Sequence, residues 1–154
     1  MRREGTVVPE DILGAHSSPS MAESLLDSGN AWYTKGEYKR AMADYDQAVR
    51  LDPANPMLYN CRGRAWSAQG EYTKALADFD EAIRREPTLA VAFHHRGNAW
   101  ENTGEYERAR EDHATAGRLD PQYAVLHLAQ EMLPSVTTDV AKPVAGTASY
   151  TAGG

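Results

Sequence analysis

Four of the chain's five histidines, His94, His95, His113 and His127, fall in its second half, and its single cysteine is Cys61. Imidazole and thiolate are the side chains that bind zinc, and imidazole is also the commonest general base. Cys61 stands 34 residues before His95. A Cys/His metal site between neighbouring helices is therefore the first chemistry to weigh. Adjacent helical residues point about 100° apart, so His94 and His95 are poorly placed to share one ion. The reading adopted is ordinary helical packing of a thiol and several imidazoles, with no metal ligands and no cofactor assigned. Asp44, Asp78 and Asp112 recur at one spacing, as do Arg50, Arg84 and Arg118. Paired carboxylates do acid-base work only in a shared pocket with displaced pKa values. A charge that recurs in every copy of a repeat points to a structural or solvating role instead. There is no nucleophile-base pair, glycine-rich phosphate loop or zinc-protease motif. The chain is read as non-enzymatic, with no catalytic residues.

The recurrence itself identifies the elements that must carry these side chains. Sliding the sequence by 34 residues aligns Gly29, Gly63 and Gly97; Trp32, Trp66 and Trp100; Gly36, Gly70 and Gly104; Tyr38, Tyr72 and Tyr106; and Pro53, Pro87 and Pro121. Alanine columns at 31/65/99, 41/75/109 and 48/82/116 share the offset, and all three tryptophans fall in one column. Internal repetition at a period of 20 to 50 residues is the mark of a stacked array. Each copy holds two apolar stripes of helical period. In the first copy these are Leu25, Gly29 and Trp32, then Tyr38, Ala41, Tyr45 and Ala48. Neither narrow stripe can be buried alone, so successive copies must stack.

These columns resemble the tetratricopeptide repeat family, whose 34-residue pattern is W-x2-L-G-x2-Y, A-x3-F, P. The second copy reads Tyr59, Arg62, Gly63, Trp66, Ala75, Phe79, Pro87. The third reads Phe93, Arg96, Gly97, Trp100, Ala109, His113, Pro121, and the first Leu25, Ser28, Gly29, Trp32, Ala41, Tyr45, Pro53. The resemblance covers residues 22–123. The family's leucine is replaced by Ser28, Arg62 and Arg96. His113 replaces an aromatic, and Gly117 stands in the column of Val49 and Ile83. The resemblance implies an all-α fold: a right-handed superhelix of three helix-turn-helix repeats.

The boundaries follow from local chemistry. Ser20 with Glu23 reads as a capping box, and Asn55 before Pro56 as an N-cap with proline at the first helical position. Glycines 36, 70 and 104 sit where a left-handed C-cap favours glycine. Repeats are expected over 20–55, 56–89 and 90–121, followed by a capping helix over 122–133. His127 there falls in the column of Leu25, Tyr59 and Phe93. Residues 1–19 and 134–154 are polar or small and are expected to be disordered.

In the family the first helix of each pair lines a concave side where partners bind. Helical spacing places Asn30 and Tyr33, then Asn60 and Arg64, then His94, Asn98 and Glu101 on that side, and these are the candidate ligand-binding residues. Asparagine can serve both the donor and the acceptor of an extended peptide backbone. Arg64 lies between Asn30 and Asn98 in equivalent columns, and its candidate role is to anchor a carboxylate. A subclass of the family grips chaperone tails with a clamp of two lysines, two asparagines and an arginine. The clamp columns hold Leu26, Asn30, Cys61, Val91 and His95 here, and only Asn30 matches. Chaperone tails of that type are accordingly not expected as partners.

The expected function is a scaffold or adaptor that binds an unidentified peptide or protein in this groove. The alternative is self-association into a homo-oligomer through the third repeat and capping helix. The net charge is −6, which argues against a nucleic-acid backbone as partner. No apolar run approaches the roughly 18 residues of a membrane span. Met1-Arg2-Arg3 is followed by Glu4, Pro9, Glu10 and Asp11 rather than an apolar stretch, so no secretory signal is expected. A cytoplasmic location is the expectation.

Overall fold

Seven helices succeed one another through the described residues, 20–132 of the computed structural model: α1 (Met21–Thr34), α2 (Tyr38–Leu51), α3 (Pro56–Ala68), α4 (Tyr72–Arg85), α5 (Ala90–Thr103), α6 (Tyr106–Leu119) and α7 (Pro121–Met132). The flanks expected to be disordered, 1–19 and 134–154, lie outside the described residues. Helices pair as α1 with α2, α3 with α4 and α5 with α6. Each pair stacks on the next, and α7 lies against α6. This is the all-α solenoid implied by the repeat. The terminal helix starts one residue earlier than its expected start at 122.

The helix ends are set as their residue types require. Ser20 Oγ accepts from the Glu23 backbone N–H, while a Glu23 carboxylate oxygen accepts from the Ser20 N–H at 2.8 Å, which completes the capping box. Asn55 Oδ1 accepts from Met57 N–H ahead of α3. In each repeat the first helix closes on a left-handed glycine, with φ of 77°, 78° and 84° at Gly36, Gly70 and Gly104. The next residue, Glu37, Glu71 or Glu105, then donates its N–H back to the carbonyl of the repeat's tryptophan at 2.9 to 3.0 Å. That bond satisfies a carbonyl the helix would otherwise leave open.

The core of each pair is a glycine under a ring. A Cβ on Gly29 would lie 2.5 Å from the Tyr45 ring, one on Gly63 2.6 Å from Phe79, and one on Gly97 2.7 Å from His113. Only glycine lets the two helices approach so closely. Alanines fill the remaining columns: Ala41, Ala48, Ala75, Ala82 and Ala116 are fully buried.

The replaced leucine column has a physical reason. Ser28 Oγ donates to Asp44 at 2.6 Å. Arg62 donates from Nε and Nη2 to both carboxylate oxygens of Asp78, at 2.9 and 2.7 Å, and from Nη1 to Asp46 at 3.1 Å. Arg96 repeats the motif with Asp112, at 2.7 Å twice, and Asp80 at 2.9 Å. Each arginine thus ties its own helix to the helix after it and to the helix before it. The bidentate bonds to Asp78 hold the Arg62 guanidinium more firmly protonated than a free arginine. The recurring aspartates are therefore half of a structural ladder.

Candidate peptide-binding groove

The first helices of the three repeats bring Tyr33, Arg64 and Asn98 to one cleft of about 380 Å³. Tyr33 comes from the last turn of α1, Arg64 from the middle of α3 and Asn98 from the middle of α5. The Arg64 guanidinium lies over the Tyr33 ring, 4.5 Å from its centroid. This contact restricts a long side chain, so less entropy is lost when the guanidinium takes a ligand. Arg62, Arg84, Arg85, Arg96, Arg108 and Arg110 all pair with carboxylates, whereas Arg64 has no ion pair among the described residues. Its charge faces the cleft without an internal counter-ion.

Four polar cleft residues were not among the candidates read from the sequence. His95, Ser67, Tyr72 and Asn102 also line it. His95 Nδ1 lies 2.9 Å from Asn60 Oδ1. With that oxygen as acceptor, Nδ1 carries the proton and Nε2 keeps its lone pair. Burial, reinforced by Arg64 and His94, holds the His95 imidazole neutral, with its pKa brought down to about 3. Ser67 Oγ is buried without a hydrogen-bond partner. A cleft that presents a cation, a neutral imidazole and an unused hydroxyl can receive a polar, negatively charged group. Ser67 shares the helical face of Asn60 and Arg64, but spacing alone does not show that its hydroxyl lacks a partner. Tyr72 and Asn102 come from helix-end positions that a count of inward-facing residues passes over.

The remaining candidates are placed elsewhere. Asn60 is a correction: it is 1% exposed, and its amide serves His95 on one side and the Met57 sulfur on the other. It therefore orients a cleft residue and has almost no exposed surface. The reason is that α5 packs against α3 here and sets His95 on the Asn60 amide. Asn30 Oδ1 accepts from the Tyr45 hydroxyl at 2.8 Å, so its acceptor is already engaged. His94 and Glu101 belong to a second cluster at the C-terminal end. His94 Nε2 accepts from Asn98 Nδ2 at 3.3 Å, and Glu101 lies 3.1 Å from His113 Nε2. Cys61 is buried, and burial pushes its thiol above the ordinary range. Among the described residues no group of three His, Cys, Asp or Glu side chains is arranged to hold a metal ion, and no helix is long and apolar enough to cross a membrane.

Two family models, a TPR repeat and the tetratricopeptide repeat, match residues 29–67 and 56–89. The chain belongs to the tetratricopeptide repeat family. Solved TPR domains are similar to it over about two-thirds to three-quarters of the chain. The second TPR of Spaghetti (RPAP3), bound to the HSP90 peptide SRMEEVD, is 30% identical with a TM-score of 0.63, over 66% of this chain and 94% of that one. The second TPR domain of human RPAP3, in complex with the HSP70 peptide SGPTIEEVD, is 31% identical with a TM-score of 0.65, over 71% of this chain and 93% of that one. The Caenorhabditis elegans stress-induced-phosphoprotein 1 is 40% identical over 48 residues, which is 31% of this chain. The matched part spans only 15% of that curated relative. The groove described above is thus set in a scaffold two of whose solved neighbours are peptide complexes.

Proposed function

We propose that this chain is a peptide-binding adaptor whose ligand lies in the cleft between α1, α3 and α5, with Arg64 pairing with a ligand carboxylate. The observation that carries this reading is the Arg64 guanidinium, stacked on Tyr33 beside the cleft and without an ion pair among the described residues. Asn98 and Asn102 supply amides at the α5 side of the cleft, and the Ser67 hydroxyl supplies a further donor. The neighbours' peptides both end in EEVD, an acidic terminus that suits a cationic anchor.

The comparisons give no support to setting chaperone tails aside as partners. SRMEEVD and SGPTIEEVD are the natural first probes. What differs here is the grip: Leu26, Cys61, Val91 and His95 fill the columns where the family's chaperone clamp has charged or amide side chains. In this reading Arg64 replaces the clamp lysines. Fluorescence anisotropy with both peptides, each as free acid and as C-terminal amide, tests it. An Arg64→Ala variant is expected to bind an acidic peptide at least about tenfold more weakly, the scale of one charge-assisted hydrogen bond. Unchanged affinity of that variant for every peptide bound by the wild type sinks the anchor.

A second reading, self-association with another copy, is favoured by α7. Val125, Leu126 and Leu128 are 66%, 49% and 56% exposed. In the column of Leu126, Leu58 and Ala92 are buried by the array. A second α7 packed against these side chains would restore the missing burial. Light scattering after size exclusion decides: a monomer at high protein concentration ends this reading and leaves the groove untouched.

A further inference from the structure

We propose that the histidine cluster where α5, α6 and α7 meet is a pH-sensitive latch, which releases the terminal helix from the third repeat on mild acidification. Three imidazoles and a phenol are in ring contact there. His113 of α6 lies 5.5 Å from His94 of α5 between ring centroids. On these two rings α7 rests: Tyr123 lies 5.0 Å from His94, and His127 stacks on His113 at 5.3 Å with planes 24° apart. His113 is 3% exposed. No comparable cluster joins the earlier repeats. The column of His113 holds Tyr45 and Phe79, and that of His94 holds Leu26 and Asn60, so neither imidazole recurs at the corresponding junctions of the earlier repeats.

The charged groups around the cluster determine the sign. From α5, Glu101 stands 3.1 Å from His113 Nε2, and His95 lies 5.6 Å from His94. Arg96 of α5 is committed to Asp112 and Asp80 and brings no free carboxylate to the site. From α6, Arg118 lines the groove under α7 together with His113 and His127, and adds positive charge. A proton on His94 has to enter at Nε2, which already accepts from Asn98, in a half-buried place under the Tyr123 ring of α7. Burial and then His113 hold the His94 pKa below the ordinary histidine value. The charge therefore arises under the ring on which Tyr123 of α7 is seated. Undocking α7 hydrates both imidazoles and separates them from the helix that covers them. Above the ordinary histidine pKa of about 6.5 the latch is closed; below it, protonation favours the undocked helix.

Amide hydrogen exchange on the full chain at pH 7.5 and 5.5, corrected for intrinsic rates, reads the latch directly. Protection of residues 121–132 is expected to fall at least about tenfold more than that of α3 and α4, the size of one pKa unit. A His94→Asn/His113→Phe variant carries the second repeat's residues in both columns and should hold α7 protected at both pH values. His94→Asn alone, which leaves the buried ring in place, should retain most of it if the double variant folds poorly. The proposal is overturned if wild-type α7 keeps its protection at pH 5.5. It is equally overturned if the variants lose as much as the wild type, or if α3 and α4 lose protection in step with α7, which would be general acid unfolding.

Discussion

The second and third repeats share one backbone plan and differ in what fills it. At Gly63 the close approach is roofed by Phe79, which is fully buried and makes no polar demand. At Gly97 the same space holds His113, which needs Glu101 as a partner and sits against two further imidazoles. A phenyl ring stabilises through area removed from water alone, roughly 25 cal/mol per Å². An imidazole of similar size must also satisfy two ring nitrogens and can acquire charge. The lesson is that a repeat tolerates a polar ring at its tightest point if the scaffold supplies a carboxylate to pair with it.

The largest expected effect tests the contrast between the two cores. Phe79→Ala should cost about 3–5 kcal/mol, the range for emptying a buried aromatic site, in urea unfolding at pH 7. His113→Ala should cost less, because it also removes a buried polar group that needed satisfying. Equal losses would show that the rings fill space equivalently and would break the comparison.

Next comes the ladder. Asp78→Ala leaves Arg62 half-buried with only the more exposed Asp46, and about 2–3 kcal/mol should be lost. Asp44→Ala removes only the bond from Ser28 and should cost under about 1 kcal/mol. If the two losses coincide, the arginines do not distinguish the repeats energetically.

Acidification sharpens the comparison further. The folded-state pKa of His95 is held at about 3, below the ordinary value of about 6.5. Its contribution is therefore complete above pH 6.5 and is lost as pH falls toward 3. Lowering pH from 7 to 5.5 should remove about 1–2 kcal/mol of unfolding free energy through this group, and His95→Asn should flatten that slope. A slope unchanged by the substitution would assign the acid sensitivity elsewhere.

The smallest effect is at the surface. Glu107, paired with Arg110 at 3.3 Å on the open face of α6, should be replaceable by alanine with no measurable shift in the unfolding midpoint. A clear loss there would mean that exposed pairs support the third repeat more than its core does.

The period of 34, the cap glycines, the Ser20 and Asn55 caps and the helix pairing were legible from residue types alone, because each rests on chemistry within a few residues or on plain repetition. Tyr33, Arg64 and Asn98 were legible as groove residues because their helical phase is constant from copy to copy. Asn60 was not. Its phase predicted an inward-facing side chain, but the stacking of α5 on α3 covered it and turned its amide toward His95. The departures Arg62 and Arg96 looked like losses of an apolar residue until Asp46, Asp78, Asp80 and Asp112 were found within hydrogen-bond reach.

By itself, then, the sequence determined the family, the number of helices through α7 and the face that looks inward, since these depend on periodicity and local backbone preference. The tertiary structure alone decided which inward-facing polar groups are already satisfied and which remain open. That distinction depends on side chains brought together from helices at least 12 residues apart in sequence, His113 with Glu101 and His95 with Asn60 among them. It leaves Arg64 as the cation facing the cleft and moves the histidines from a metal question to a question of how the last helix is held.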